Sequence, residues 1–230
     1  MPGEILDIEL VHRPGNSAAR ITLAAGESVT TEAGAMIAMS ADMSITTTTH
    51  KRGSGSFTRT IKRLLAGESL FLNHFSSPRA GAELWLGTPL PGDMVAIPLQ
   101  RENLIVQGGS FVACESGVEI DLGWQGFRTL LSGESLFWVQ LKGTGKVLIN
   151  SFGAIYAQAV DGEFIVDTGH IVAFNETLNF TLTKAGASWL HSFLGGEGLV
   201  CKFRGKGTVW CQSNNPRSFG RALTPTLARR

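Results

Sequence analysis

Three glutamates recur in one motif and have the spacing best suited to metal chemistry. Glu68, Glu134 and Glu197 each follow a glycine and precede an apolar run. If an approximate threefold axis relates them, three carboxylates would converge, and such oxygen donors suit calcium or magnesium. Alternatively, each glutamate faces water just outside a helix end, since repetition alone explains its recurrence. We favour the second interpretation and predict neither a metal nor a cofactor.

Motifs of common enzymes are missing from the sequence. No histidine pair has H-x-H or H-E-x-x-H spacing, so two metal ligands never share a strand or helix face. Gly143-Thr144-Gly145-Lys146 precedes Val147, where a phosphate-binding loop needs serine or threonine. No G-x-S-x-G elbow occurs, and no cysteine has the charged setting of a nucleophilic thiolate. The sequence therefore favours a protein that is not an enzyme.

The cysteines and the N-terminus bear on the cellular compartment. Cys114, Cys201 and Cys211 are odd in number and lack C-x-x-C spacing, which indicates free thiols in a reducing environment. An alternative is a disulfide between Cys201 and Cys211 across a predicted hairpin. The N-terminus has no signal-peptide pattern, and no run of eighteen apolar residues indicates a transmembrane segment. We predict a cytoplasmic protein.

One stretch of the chain is basic although the net charge is only +1. Residues 43–67 contain no acid, and residues 57–65 have the apolar spacing of a short amphipathic helix after a Gly/Ser loop. The basic residues that we single out as a possible contact for an anionic partner are Lys51, Arg52, Arg59, Lys62 and Arg63. RNA, acidic lipid or an acidic protein would fit them. The alternative is a solvated face over a core-facing stripe.

Three copies of one motif predict the elements that must position these residues. Each copy reads glycine, any residue, two large apolar residues and alanine, then four free positions and an apolar-any-apolar triplet. The copies begin at Gly34, Gly109 and Gly169. We predict a pair of strands from each copy.

A second motif follows each copy. Apolar residues stand six, three and two places before Gly67, Gly133 and Gly196, a spacing that predicts a short helix ended by glycine. Glycine-rich turns at 142–145 and 204–207 then predict hairpins over 136–150 and 199–212, with a looser hairpin over 71–86. Each unit is predicted to be two strands, a helix and a hairpin.

These units divide the chain into three β-modules. The predicted boundaries are 1–90, 91–153 and 154–230, the last with a C-terminal tail. We expect an all-β fold with short connecting helices and an extra strand near residues 221–223. Leu136-Phe137-Trp138-Val139 and Leu70-Phe71-Leu72 are apolar on both strand faces, and the second face needs a cover. Association between copies of the chain would supply it.

These motifs carry a family resemblance from about Ile5 to Gly220. The chain resembles the family once catalogued as domain of unknown function 124, also named after the protein altered inheritance of mitochondria 24. The residues that carry the resemblance are Gly34 to Met39, the Gly-Glu-Ser-Leu-Phe repeats at 67 and 133, and residues 108–113 and 167–174.

The resemblance implies three tandem, pseudo-threefold-related β-modules of double-stranded β-helix type, similar to those of the tryptophan RNA-binding attenuation protein. Three such modules per chain imply a homotrimer with a ring of nine. The family offers no catalytic or ligand residues to carry over. Its mitochondrial members are linked with inner-membrane organisation, whereas this chain, without a targeting sequence, resembles the bacterial branch.

We therefore expect a non-enzymatic, oligomeric scaffold or binding protein. Two alternatives stay open at this point. One is an RNA-binding ring, by analogy with the attenuation protein and on the strength of the basic stretch. The other is an organiser at a membrane surface, related to the mitochondrial members.

Overall fold

The computed structural model describes residues 6–50, 70–122, 138–184 and 199–226. These residues are mostly β-strand, which confirms the all-β prediction. The strands are β1 (Asp7–Val11), β2 (Ala18–Leu23), β3 (Ser28–Glu32), β4 (Met36–Met39), β5 (Ser44–His50), β6 (Leu70–Ser76), β7 (Ala82–Leu86), β8 (Met94–Gln100), β9 (Leu104–Gln107), β10 (Phe111–Glu115), β11 (Val118–Asp121), β12 (Trp138–Asn150), β13 (Ile155–Asp167), β14 (Ile171–Asn175), β15 (Asn179–Lys184) and β16 (Leu199–Gln212). One α-helix, α1 (Pro216–Leu223), follows them, and the predicted connecting helices lie outside the described residues.

The strands form two sheets. One has four strands in the order β1-β2-β7-β4, and the other has twelve, with a main path of β13-β16-β14-β9-β12-β10-β3-β6-β5. All pairings between named strands are antiparallel. Strands distant in sequence, such as β3 and β10 or β9 and β14, are neighbours in the large sheet.

The hairpins predicted over 136–150 and 199–212 are wrong, because each segment contains one long strand. The start of β12 pairs with β9 and β11, and its end pairs with β8 and β10. Gly143 and Gly145, at φ 112° and 147°, redirect the strand where its partners change. A Cβ on Gly143 would collide with the carbonyl oxygen of Gly117. These glycines therefore permit a close crossing of backbones rather than a tight turn.

The first motif copy differs in the same region. β6 and β7 are separate strands and do not pair with each other. β6 pairs with β3 and β5, whereas β7 pairs with β2 and β4. The predicted loose hairpin over 71–86 is therefore also wrong.

All three copies of the glycine-initiated motif form strands, as predicted, and each strand contains a bulge. In β4 the pairing passes from Met36 to Ala38, in β10 from Phe111 to Ala113, and in β14 from Ile171 to Ala173. The second large apolar residue of the motif is the one left out of the register. A bulge re-aims side chains and increases local twist, so the motif encodes a bend at one fixed position.

The buried apolar side chains of the described residues form three adjoining clusters. Ile21, Phe75 and Leu84 belong to the first, and Leu104 and Phe111 belong to the second. The third surrounds Phe174 and Phe203, whose ring centroids are 5.1 Å apart. Residues of β9 and β10 are divided between neighbouring clusters, so the packing is continuous across these strands.

The C-terminal segment differs from its prediction. Residues 221–223 belong to α1 and not to an extra strand. The Asn215 side chain caps the helix by accepting hydrogen bonds from the backbone N–H groups of Arg217 and Ser218, and Pro216 occupies the first turn. An N-cap asparagine followed by proline is a sequence signal for a helix start.

The loop before β2 is fastened to the loop before β8 by a buried carboxylate. Asp93 accepts two hydrogen bonds from Arg13, at 2.8 and 2.9 Å, and one from Ser17 Oγ at 2.8 Å. Its own neighbour Met94 donates a fourth from its backbone N–H. Burial by itself would raise the pKa of Asp93, but these hydrogen bonds outweigh it and lower the pKa below its usual range.

Replacing Asp93 with alanine should lower the free energy of unfolding by about 2–4 kcal/mol, because buried donors lose their acceptor. Since the pKa of Asp93 is lowered in the fold, this contribution is present at neutral pH and is lost as the pH falls through that pKa. Urea titration at pH 7 measures the change.

The control is Asp42→Ala, which removes the exposed partner of Arg79 and should leave the urea midpoint almost unchanged. Equal effects of the two variants would contradict the role of Asp93.

Candidate subunit interface

Two strand edges lack the neighbour that corresponding strands have. β10 lies between β12 and β3, and β14 lies between β16 and β9, whereas β4 pairs with β7 alone among the described strands. Likewise, residues 163–167 of β13 pair with β16 alone among the described strands. Within the described residues, both edges therefore leave backbone N–H and C=O groups without strand partners.

The open edge of β4 exposes large apolar side chains. Met36 is 41% exposed and Ile37 is 60% exposed. The residues at the same motif positions are at most 1% exposed. They are Phe111 and Val112 in β10, and Ile171 and Val172 in β14. The difference follows from the neighbouring strand that β10 and β14 have and β4 lacks.

The edge of β13 shows the same contrast. Phe164 lies opposite Phe203 just as Val29 lies opposite Phe75 and Leu104 opposite Leu141. Phe164 is 36% exposed and the adjacent Ile165 is 56% exposed, whereas Val29 and Leu104 are at most 1% exposed. Phe164 and Ile165 are therefore only partly covered within one chain.

The two strand contacts that do form share one register. Thr31 of β3 lies opposite Ala113, and Val106 of β9 lies opposite Ala173. One residue along, Thr30 lies opposite Cys114 and Ile105 opposite Phe174. In each contact, the strand that precedes one copy of the motif (β3 or β9) pairs with the bulged strand of the next copy (β10 or β14).

The basic residues Lys51, Arg52, Arg59, Lys62 and Arg63 lie outside the described residues. The three recurring glutamates, Glu68, Glu134 and Glu197, also lie outside them. No group of three His, Cys, Asp or Glu side chains suited to a metal ion occurs in residues 6–50, 70–122, 138–184 and 199–226.

Two described histidines have hydrogen-bond partners that account for their positions. The ring nitrogens of His74 lie 2.9 Å from Thr30 Oγ1 and 2.7 Å from Thr48 Oγ1. His170 Nδ1 lies 2.8 Å from the backbone oxygen of Gln212. Both rings therefore take part in local polar contacts between neighbouring segments.

The three thiols are buried and free. Cys201 and Cys211 lie ten positions apart on the single strand β16, so they do not face each other, and the alternative of a disulfide between them is wrong. Burial raises the pKa of Cys114 and of Cys201 to about 12 and that of Cys211 to about 11. The thiols therefore stay protonated at neutral pH.

Comparison with known proteins identifies the family. Residues 8–214 match the family described as mitochondrial biogenesis AIM24. The chain belongs to this family. An uncharacterized protein of Streptococcus pyogenes serotype M6 is 30% identical over 209 residues, covering 88% of this chain and 84% of that protein. A crystal structure of a Streptococcus pyogenes protein, 28% identical, superimposes with a TM-score of 0.78 over 96% of this chain and 100% of the other.

Membership of the AIM24 family confirms the resemblance drawn from the motifs. The further resemblance to modules of the tryptophan RNA-binding attenuation protein stays a prediction. Among the described helices, none is long and apolar enough to cross a bilayer.

The sequence did not reveal which strands carry the open edges. The exposed Met36 and Ile37 occupy the same motif positions as buried residues, so the motif alone cannot distinguish them. A signal was present in the order of the copies, because Met36 and Ile37 belong to the first of the three motif copies in the sequence.

Glu32, at the end of β3, is a half-buried carboxyl without a hydrogen-bond or ion-pair partner among the described residues. Desolvation raises the pKa of Glu32 to about 7. Since the ionised form is disfavoured in the fold, stability should fall as the pH rises from the unfolded-state pKa, near 4.5, through about 7.

The variant Glu32→Gln should remove this dependence and raise the free energy of unfolding at pH 8 by about 1–2 kcal/mol. Urea titrations at pH 5 and pH 8 measure it. Glu102→Gln, at an exposed position, is the control and should keep the pH dependence of the parent protein. An unchanged pH dependence in the Glu32 variant would refute the assignment.

Proposed function

We propose that this protein is a non-enzymatic scaffold whose chains join head to tail into a closed homotrimer of three-module β chains. The exposed apolar edges of β4 and β13 are the observation that carries the proposal. The three free thiols support the expected cytoplasmic location.

The strand pairings support the division into modules. In the first module, β6 pairs with β3 and β5, and β7 pairs with β2 and β4. In the second, the two halves of β12 take the places of β6 and β7, with β9 and β11 on the first half and β8 and β10 on the second. In the third, the two halves of β16 correspond to β6 and β7. The first half pairs with β15 and the end of β13, and the second half pairs with β14 and the start of β13.

The same pairings supply the register of the contact between copies. The second strand of module 1 pairs with the motif strand of module 2, and module 2 joins module 3 in the same way. Continuing the pattern brings residues 163–167 of one copy beside β4 of the next. Val166 would then lie opposite Ala38, and Ile165 opposite Met39. This contact would bury the side chains that are exposed in the single chain.

Such a contact joins two different surfaces, so it is heterologous. Heterologous contacts generate a closed ring when the rotation between copies closes, and an open fibre when it does not. The resemblance to nine-module rings sets the number of copies at three. A closed ring leaves neither strand edge open, which removes the aggregation hazard of an unpaired apolar edge.

Disulfide trapping tests the proposed register. The double variant Met39→Cys/Ile165→Cys should form covalent dimers and trimers on mild oxidation, because the two thiols face each other between copies. Non-reducing electrophoresis measures the products. The buried native thiols should not react.

The matched control is Ile45→Cys/Met39→Cys. Ile45 is 43% exposed on β5, and the strands of its motif counterparts, β11 and β15, pair with β12 and β16 alone among the described strands. This control should stay uncrosslinked. Equal crosslinking in both variants, or none in the first, would contradict the proposed pairing.

The basic stretch supports a second candidate function, binding of RNA on the assembled ring. Residues 43–67 contain no acid and carry Lys51, Arg52, Arg59, Lys62 and Arg63. Charge-driven binding should weaken steeply with salt. We expect retention of a single-stranded RNA at 50 mM salt to be lost when all five residues are changed to glutamine.

A filter-binding series from low to high salt measures this retention. The control replaces Arg79, Arg204 and Lys206, which lie elsewhere on the chain, with glutamine. No retention by the parent protein at low salt would remove this candidate. Flotation with anionic vesicles under the same conditions would instead favour the alternative of an organiser at a membrane surface.

A further inference from the structure

The helix α1 lies on the surface of the protein. None of its residues is buried, and Phe219 and Leu223 are 43% and 40% exposed. These side chains share one helical face, while Arg217 and Arg221 lie on the other. Phe219 contacts its own chain through Phe152, with ring centroids 5.2 Å apart. An eight-residue helix is marginal in water, so its apolar face needs a further cover.

The segments that connect the proposed modules form a row of backbone hydrogen bonds. Ser17 N donates to Gly92 O, and Asp93 N donates to Gly153 O, both at 3.0 Å. Ser213 N then donates to Ala154 O at 3.0 Å. The row therefore runs from the loop before β2, through the loops before β8 and β13, to the segment after β16. The helix α1 begins at Pro216, three positions after Ser213.

This row indicates where the next copy would begin. Between β12 and β13 the chain crosses a module boundary with only four residues, 151–154. Four residues and their flanking bonds span at most about 17 Å. In the proposed ring, the boundary between two copies is equivalent to the boundary between β12 and β13. The end of β16 takes the place of the end of β12, and the start of β2 of the next copy takes the place of the start of β13. Because α1 begins four residues after β16 ends, it starts within this gap.

We propose that the apolar face of α1 packs against residues 12–17 of the next copy and forms a second contact between subunits. The proposal rests on the ring described above and adds a contact that is separate from the strand edges. The occupant is another copy of this chain, since continuity of the row places residues 12–17 at that position. The contact places α1 of each subunit over residues 12–17 of the next, the loop whose Arg13 and Ser17 donate hydrogen bonds to Asp93.

Photo-crosslinking tests this contact in the full-length protein. A benzophenone maleimide is attached at Leu223→Cys, with Arg221→Cys, on the opposite helical face, as the control. Rings are assembled from mixed ¹⁴N and ¹⁵N copies, so that mass spectrometry separates links between copies from links within one. We expect the Leu223 label, and not the Arg221 label, to link to the peptide containing residues 12–17 of another copy.

The outcomes separate this proposal from the ring itself. A trimer in which the Leu223 label links only within its own chain, or to another segment, overturns the helix contact and leaves the ring intact. A monomer overturns both. As an independent readout, Leu223→Asp should raise the midpoint concentration of dissociation about tenfold, whereas Arg221→Asp should leave it nearly unchanged. Equal effects of these two changes would also overturn the contact.

Discussion

Backbone groups at the edge of a sheet need partners, and apolar side chains beside such an edge need cover. β3 and β10 meet this need for each other, as do β9 and β14, and each contact buries the large apolar residues of its motif strand. Met36 and Ile37 of β4, and Phe164 and Ile165 of β13, are large apolar side chains that stay exposed. Exposed apolar side chains beside an unpaired strand edge are a liability for a single chain.

The bulged motif and the crossing glycines allow one long strand to serve two groups of partners. The bulge at Ile37, Val112 and Val172 bends each motif strand, and Gly143 lets the backbone of β12 approach Gly117 closely where its partners change. With these features each half of β12 pairs with its own strands, while β10 pairs with both β12 and β3. The pairings of β10 and β12 therefore depend on the same few positions.

Much of the strand content could be predicted from the sequence, because each copy of the motif indicates a pair of strands and the spacing of the copies indicates where such pairs recur. The mistaken hairpins over 136–150 and 199–212 show the limit of local rules. Glycine-rich runs favour tight turns in short peptides, but here pairing with β8, β9, β10 and β11 keeps the two halves of β12 in one continuous strand. The helix at Pro216 had a local signal in its Asn-Pro start, whereas the exposure of Ile37 depends on a missing neighbour that no local pattern contains.

Sedimentation equilibrium of the full chain at micromolar concentration tests the central claim most directly. The account predicts a single species with three times the 24.6 kDa mass of the chain, unchanged over a wide range of concentration. A species of one chain mass, or a mass that keeps growing with concentration as an open fibre would, contradicts it.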